Sequence, residues 1–104
     1  MIAKTPEPPY YAVIFTSLRT DENDQEYGEM AQKMLELAIQ QPGYLGFESA
    51  KSAIGISVSY WKDLDSIRNS KRHSEHLLAQ KLGKSTWYEA YKVRIALVER
   101  DYQF

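Results

Sequence analysis

The sequence predicts a single α+β domain with a ferredoxin-like β-α-β-β-α-β order of elements. Three observations support this class. The chain has 104 residues, the length of one domain. Two segments carry apolar residues at helical spacing, and the segments around them have the alternation or the β-branched and aromatic composition of strands. Proline, glycine and short polar runs separate these segments in the order that the fold requires.

The first nine residues are expected to form an arm, and residues 10–104 the domain. Pro6, Pro8 and Pro9 cannot donate hydrogen bonds to a sheet and favour extended structure. The arm should therefore be ordered only if another part of the molecule holds it. The following segment, 10–18, is β-branched and aromatic on both alternating faces, which predicts a central strand that is covered on both sides.

A first helix is predicted after the polar run 20–24, which offers capping and turn residues. Pro42-Gly43 should end this region. One stripe of the helix is apolar at i, i+3, i+4 and i+7 spacing. Its members are Tyr27, Met30, Ala31, Met34, Leu35, Ala38 and Ile39.

A hairpin should follow, with strands at 44–50 and 54–61 and a turn at 51–53. The second strand alternates, so Ile54, Ile56, Val58 and Tyr60 share one face, and Gly55, Ser57, Ser59 and Trp61 share the other.

The second helical region should begin at Asp63 as its N-cap. We expect a break or kink at Asn69-Ser70, resumption through Leu82, and Gly83 as the residue just past the C-terminus. The last strand is predicted from Tyr88 to about Arg100. It places Tyr91, Val93, Ile95 and Leu97 on one face, and Ala90, Lys92, Arg94, Ala96 and Val98 on the other.

Composition excludes several classes of function. The 13 basic and 14 acidic residues give a net charge of -1, which provides no electrostatic case for nucleic acid or an anionic membrane. The chain has no cysteine, which removes disulfides, thiolate metal sites and cysteine nucleophiles. The apolar runs are far too short to span a membrane, and the first residues do not resemble a secretory signal. The expected location is therefore the cytoplasm.

Two helices cannot cover both faces of a four-stranded sheet, and several strands are apolar on both faces. An open apolar face needs a partner, and a second copy of the chain is the simplest one. The sequence therefore predicts a homodimer.

The candidate site residues are two histidines, four aromatic residues and one arginine. His73 and His76 lie three residues apart on a helix, so they could bind a metal or move a proton, or could simply cap a helical break and pack. Arg94 lies mid-strand, where it could pair with Glu48 or hold an anionic group of a substrate. The four aromatic residues could line a flat pocket for a small-molecule ligand, or could be core and interface residues. They are Tyr60, Trp61, Trp87 and Tyr88.

Several motifs occur together along the chain: Pro42-Gly43-Tyr44 with Glu48 and Ala50, Tyr60-Trp61, His73-x-x-His76, Ala79-Gln80, Gly83, Trp87-Tyr88, Tyr91, Arg94, and Glu99-Arg100-Asp101-Tyr102. In these motifs the chain resembles the antibiotic biosynthesis monooxygenase family over about residues 10–103. The resemblance implies a dimeric α+β barrel. It also implies a monooxygenase-like activity, possible without a cofactor, on a small aromatic or polycyclic substrate, with His76 as the base.

The same superfamily contains heme-degrading enzymes, which use an Asn on the first strand and a Trp and a His on the second helical region. Here the nearest strand residues are Thr16 and Ser17, the Trp position falls at about Ser70, and only His76 matches. The resemblance therefore disfavours heme degradation, although simple heme binding stays compatible with it. A non-catalytic dimeric ligand-binding module of the same fold is the alternative.

Overall fold

The structure, a computed structural model, describes residues 1–20, 24–81 and 87–104, without the side chains of residues 78–81. It confirms the predicted β-α-β-β-α-β order. The elements are β1 (Tyr10–Arg19), α1 (Asp24–Ile39), β2 (Tyr44–Lys51), β3 (Gly55–Trp61), α2 (Leu64–Lys81) and β4 (Tyr88–Val98).

The four strands form one antiparallel sheet in the order β2-β3-β1-β4. β1 lies between β3 and β4, with Ile14 opposite Val58 on one side and Arg94 on the other. The predicted central position of the first strand is therefore confirmed. β2 and β4 are the edges of this sheet, and β4 is exposed along most of its length.

The two faces of the sheet have different coverings. The Phe15 ring on β1 contacts Tyr88, and Tyr88 contacts Tyr27 of α1, at centroid separations of 5.5 and 5.6 Å. The side of the sheet that carries Phe15 is therefore the helix-facing side, and the opposite side is called the outer face. Buried residues of both helices, Met30 and Ile67, belong to the layer between sheet and helices.

The predicted alternation along β3 is confirmed by its register. Ser57, Ser59 and Trp61 lie opposite Phe15, Val13 and Tyr11, so they share the helix-facing side. The other residues of β3 and their β1 partners lie on the outer face, and these include Tyr60, Val58 and Ile56.

The expected break in α2 is wrong. α2 is continuous through Asn69 and Ser70, because both side chains have roles that leave the helical backbone intact. The Asn69 amide donates to Gln41 Oε1 at 3.1 Å, and Ser70 is buried on the packed side of the helix. The predicted cap is confirmed, since Asp63 Oδ1 accepts hydrogen bonds from the backbone N–H and the hydroxyl of Ser66. Gly83 and the predicted capping residues 21–23 lie outside the described residues.

Smaller differences occur at strand ends. The hairpin turn occupies residues 52–54 rather than 51–53, and the Ser52 N–H donates to the Ile54 carbonyl at 3.1 Å. β4 ends at Val98, two residues before the predicted end. The turn between α1 and β2 depends on Gly43, whose φ of 86° suits glycine and whose added Cβ would collide with the Ser66 side chain.

Candidate functional site

The helix-facing side of the sheet carries a strip of small and hydroxyl residues at its centre. Ser17 of β1 is buried, and Ser57 and Ser59 of β3 are half-buried. Gly55 lies opposite Ser17 and adds no side chain. Central strands normally fill such positions with apolar residues, because a buried hydroxyl is costly without a hydrogen bond. The strip therefore places small side chains and hydrogen-bonding groups beneath the helices.

α2 adds two more hydroxyls on its packed side. The helix contacts β3, and Ser70 and Ser74 lie on the same side as the buried Ile67. The Ser74 hydroxyl donates to the Ser70 carbonyl at 3.0 Å. The layer between the sheet and α2 is thus bordered by serines from both elements, and we call these five residues the serine layer. They are Ser17, Ser57, Ser59, Ser70 and Ser74.

One end of this side of the sheet is closed by Trp61. Its side chain is 3% exposed, and its indole N–H donates to Ser59 Oγ at 2.8 Å. The Tyr44 ring packs edge-to-face against it at 5.7 Å, and burial raises the pKa of Tyr44. The indole N–H, the one polar group of this side chain, is hydrogen-bonded, and the ring is buried against Tyr44. This end of the domain is therefore well packed.

An aromatic cluster forms the opposite end. Five rings follow one another at centroid separations of 5.4–6.0 Å, with Trp87 fully buried and Tyr91 half-exposed. The members are Phe15, Tyr27, Trp87, Tyr88 and Tyr91. The cluster therefore leads from the interior to the surface at β4.

Arg19 holds this cluster together. Its guanidinium lies over the Tyr27 ring at 3.7 Å and donates to the carbonyls of Thr20 and Trp87 at 2.9 and 2.8 Å. It also pairs with Asp24 at 2.8 Å, at the start of α1. Within the described part of the chain, Arg19 Nε and Trp87 Nε1 are buried and have no hydrogen-bond partner. Both lie near the Tyr27 ring, whose π face attracts such donors.

Tyr88 remains a protonated phenol at any physiological pH. Burial is the largest cause that raises its pKa, and a hydrogen bond with Tyr27 raises it further. A phenol in this state can donate a hydrogen bond to a ligand, but it cannot serve as a general base.

The outer face carries a second, separate set of polar contacts. Glu48 of β2 accepts hydrogen bonds from the Tyr60 hydroxyl at 2.6 Å and from the backbone N–H of Ala3 at 2.9 Å. These two bonds lower the pKa of Glu48, the one from Tyr60 more strongly. Burial and then the Glu48 carboxylate raise the pKa of Tyr60 to about 12. Glu48 is therefore ionised and Tyr60 neutral across the physiological range.

The structure places the predicted site residues in four separate locations. Trp87 and Tyr88 meet in the aromatic cluster, and Trp61 lies at the other end of the helix-facing side. Tyr60 lies on the outer face, so the four predicted aromatic residues do not line one pocket.

Arg94 also lies on the outer face, exposed on β4. Glu48, one candidate partner of Arg94, is not on a neighbouring strand, because β1 and β3 lie between the strands of these two residues. Glu48 instead accepts hydrogen bonds from Tyr60 and Ala3.

Both histidines are exposed on α2. At roughly 100° per residue, His73 lies about 60° and His76 about 120° around the helix from the buried Ser70. His73 is thus nearer the packed side. Among the described residues, no group of three or more His, Cys, Asp or Glu side chains could hold a metal ion.

Several residues of this region were not predicted as site residues. They include Arg19, Phe15, Tyr27 and Ser17. Arg19 was detectable in principle as a cation that ends an otherwise apolar strand. The Phe15 and Tyr27 contacts depend on how α1 lies across the sheet, which local sequence patterns do not determine.

No helix in the described ranges has both the length and the apolar character needed to cross a bilayer.

Solved structures share this fold. SnoaB, a cofactor-independent oxygenase from Streptomyces nogalater, superposes in a mutant form with a TM-score of 0.68 at 9% identity, covering 88% of this chain and 95% of that one. A protein proposed to be an antibiotic biosynthesis monooxygenase, from Nitrosomonas europaea, gives a TM-score of 0.67 at 19% identity, with coverages of 83% and 95%. A second Nitrosomonas europaea protein, NE2512, of unknown function, gives 0.70 at 10% identity, with coverages of 94% and 97%.

These similarities define the class of protein: a ferredoxin-like α+β domain with the fold of the antibiotic biosynthesis monooxygenases. No family model matches the chain. The uncharacterized protein YqjZ of Bacillus subtilis is 52% identical over 105 residues, covering 99% of this chain and 91% of that protein. The chain therefore belongs to the same family as YqjZ.

Proposed function

We propose that this protein is a homodimer that binds a small, largely apolar aromatic ligand between its sheet and its helices and oxygenates it. The observation that carries the proposal is the serine layer, enclosed between Trp61 at one end and the aromatic cluster at the other. Aromatic rings supply contact area for a flat ligand, and a few hydroxyls supply its orientation.

The proposed chemistry needs no resident metal or heme. A base removes a proton from the substrate, and the resulting carbanion itself reduces oxygen in a site that excludes water. His76 is the proposed base, since imidazole is the side chain that enzymes use most often for proton transfer. Tyr88 is unsuited to this role, because its pKa is raised. The cytoplasm stays the proposed location.

A second candidate function is ligand binding without turnover. It is favoured by the exposure of both histidines on α2, since the described side chains of the serine layer are hydroxyls. The two candidates share the binding site and differ only in the chemical step.

The binding site can be tested with a matched pair of serines. Ser57 and Ser49 are opposite each other in the β2–β3 ladder, but Ser57 is half-buried and Ser49 exposed. Ser57→Val should reduce binding of a polycyclic phenol such as 2-naphthol at least tenfold, measured by quenching of tryptophan fluorescence. Ser49→Val should bind like the unmodified chain. Equal affinities for the two variants would remove the serine layer from the site.

Turnover separates the two functions. An oxygen electrode should record consumption of oxygen with the polycyclic phenol, and His76→Ala should abolish this consumption while His73→Ala retains it. Binding without oxygen consumption would establish the non-catalytic candidate. Oxygen consumption that survives in His76→Ala would show that another group removes the proton.

The proposed dimer rests on β4. Four apolar residues on its helix-facing side are 47–53% exposed, and they form a continuous stripe. They are Tyr91, Val93, Ile95 and Leu97. A stripe of this kind on an edge strand is unfavourable in water and is well suited to burial against a second copy.

Two isoleucines provide the test of the dimer. Ile95 on β4 and Ile39 at the end of α1 are each 53% exposed. Ile95→Lys should convert the dimer to a monomer by light scattering, whereas Ile39→Lys should leave it a dimer. A monomeric unmodified chain at micromolar concentration would contradict the proposal.

A further inference from the structure

The N-terminal arm is docked across one end of the outer face. Its Ala3 backbone N–H donates to Glu48 on β2, and its Thr5 hydroxyl donates to the Tyr10 hydroxyl at the start of β1. Ala3 and Thr5 are partly buried, while Lys4 between them is exposed. This alternation is that of an extended segment lying on a surface.

The surface of β2 is shaped to accept this segment. An added Cβ at Gly46 would lie 2.9 Å from the Ala3 Cβ, so the absence of a side chain there permits the close approach. The Glu48 carboxylate divides its two oxygens between Ala3 and Tyr60. The same chain thus provides both the glycine and the acceptor that the arm requires.

The arm and the C-terminal tail together hide an aromatic pair. Tyr10 and Tyr60 pack edge-to-face at 5.7 Å on the outer face, and Tyr10 is only 5% exposed. The Tyr10 hydroxyl donates to Asp101 of the tail at 2.6 Å. Without the arm, part of this pair would face water beside the edge strand β2, and exposed apolar surface at a sheet edge promotes association.

We propose that the arm, residues 1–9, covers the part of the outer face that β2 and β3 form, so that a second copy can pack only on β4. We call the docked arm the strap. The strap covers part of the outer face and the β4 stripe lies on the helix-facing side, so both can be in place at once. A docked strap therefore limits assembly to a dimer. This inference rests on the dimer proposed above.

The test compares a loosened strap with a locked one. Gly46→Ala should displace Ala3, and Gly28→Ala is the matched control because nothing lies within 4 Å of a Cβ at Gly28. For the locked form, Ala3→Cys and Gly46→Cys are combined and oxidised; a disulfide holds its two Cβ atoms about 3.8 Å apart, so the arm lifts by about 1 Å and is tethered to β2. The chain has no other cysteine, so only this disulfide can form within it.

Two readouts are followed for each protein. Trypsin cleavage after the exposed Lys4, scored by mass, reports whether the arm is docked, and light scattering reports assembly. Gly46→Ala should be cleaved at least tenfold faster than Gly28→Ala and should form species larger than a dimer. The oxidised double variant should resist cleavage and remain a dimer. Circular dichroism confirms that each variant is folded.

Three results would overturn the strap. A monomeric oxidised variant would mean that the arm must leave before a second copy can pack. A Gly46→Ala variant that is cleaved rapidly and still forms only dimers would mean that the arm does not limit assembly. Equal cleavage of Gly46→Ala and Gly28→Ala would mean that the arm is not seated at Gly46. A monomeric unmodified chain would instead refute the proposed dimer, and the cleavage rates would still report the docking of the arm.

Discussion

The two tryptophans lie at opposite ends of the domain and are buried in different ways. Trp61 is 3% exposed and donates its indole N–H to Ser59. Trp87 is 1% exposed, yet its indole N–H has no hydrogen-bond partner in the described part of the chain. The Trp61 ring packs against Tyr44, whereas the Trp87 ring packs against Tyr27, which in turn contacts the Arg19 guanidinium and the Tyr88 ring.

This difference shows that burial alone does not separate core residues from site residues. Both indoles contribute apolar area to the interior, but among the residues that the structure describes only the Trp61 N–H finds a hydrogen-bond partner. Unsatisfied buried donors are uncommon in native proteins and tend to accompany functional or strained regions. The end that contains Trp87 is therefore the better candidate for contact with a ligand, and the end that contains Trp61 for structural support.

The largest expected effects come from removing either indole. Trp61→Ala and Trp87→Ala should each lower the free energy of unfolding by about 3–5 kcal/mol, because each leaves a large cavity. Urea denaturation followed by circular dichroism would measure this change. If the free energy of unfolding fell by less than about 1 kcal/mol at either position, the surrounding residues would have filled the cavity. That tryptophan would then not be needed for the packing of its end of the domain.

A smaller substitution sharpens the comparison. Trp61→Phe and Trp87→Phe both keep an aromatic ring, but of the hydrogen bonds in the described ranges only the first substitution removes one. Trp61→Phe should therefore cost about 1 kcal/mol more than Trp87→Phe. The same denaturation experiment decides between them. A greater cost for Trp87→Phe would indicate that its N–H interacts strongly with the Tyr27 ring or with a ligand.

The fold was predictable because each element carries its own local signal. The apolar stripe that contains Met30 predicts α1, and the alternation through Ser57 and Ser59 predicts β3. The Asp63 cap predicts where α2 begins. The expected break in α2 failed for a tertiary reason. Asn69 and Ser70 weaken an isolated helix, but here one side chain bonds to Gln41 and the other packs in the interior.

The candidate site was less predictable because its contacts join distant parts of the chain. The sequence indicates that Tyr60 and Trp61 are aromatic neighbours, and the strand period then places them on opposite faces. The contacts of Arg19 with Tyr27 and Trp87 depend on how α1 lies over the end of the sheet. Docking of the arm on Glu48 likewise has no local sequence signal.

The two hydrogen-bonded phenols extend the comparison to titration. The pKa of Tyr60 is raised to about 12 by burial and by Glu48, whereas Tyr88 owes its raised pKa to burial and Tyr27. Glu48→Gln should therefore lower the pKa of Tyr60 toward its ordinary value of about 10 and leave Tyr88 unchanged. Because the chain has eight tyrosines, the Cζ chemical shift of each one is followed by NMR of 13C-tyrosine-labelled protein across the pH titration, so that Tyr60 and Tyr88 are read separately. An unchanged Tyr60 would show that burial accounts for the whole shift.

The same pair determines how stability depends on pH. The pKa of Glu48 is lowered in the folded chain, so its contribution is present above the unfolded pKa and is lost as pH falls through the folded value. The pKa of Tyr60 is raised, so its contribution is present below about 10 and is lost as pH rises toward about 12. Thermal melts of Glu48→Gln should be less pH-dependent than those of the unmodified chain at both extremes. Equal pH profiles would contradict this assignment.

The smallest expected effects on stability are those of the histidines. Both are exposed on α2, so His73→Ala and His76→Ala should each change the free energy of unfolding by less than about 0.5 kcal/mol. His76 should nevertheless affect turnover if it is the base, and this would separate a chemical role from a packing role. Denaturation curves and oxygen consumption are measured on the same preparations. A loss of more than about 1 kcal/mol in His76→Ala would place its imidazole in the packing of the domain, and any change in turnover would then follow from the altered structure.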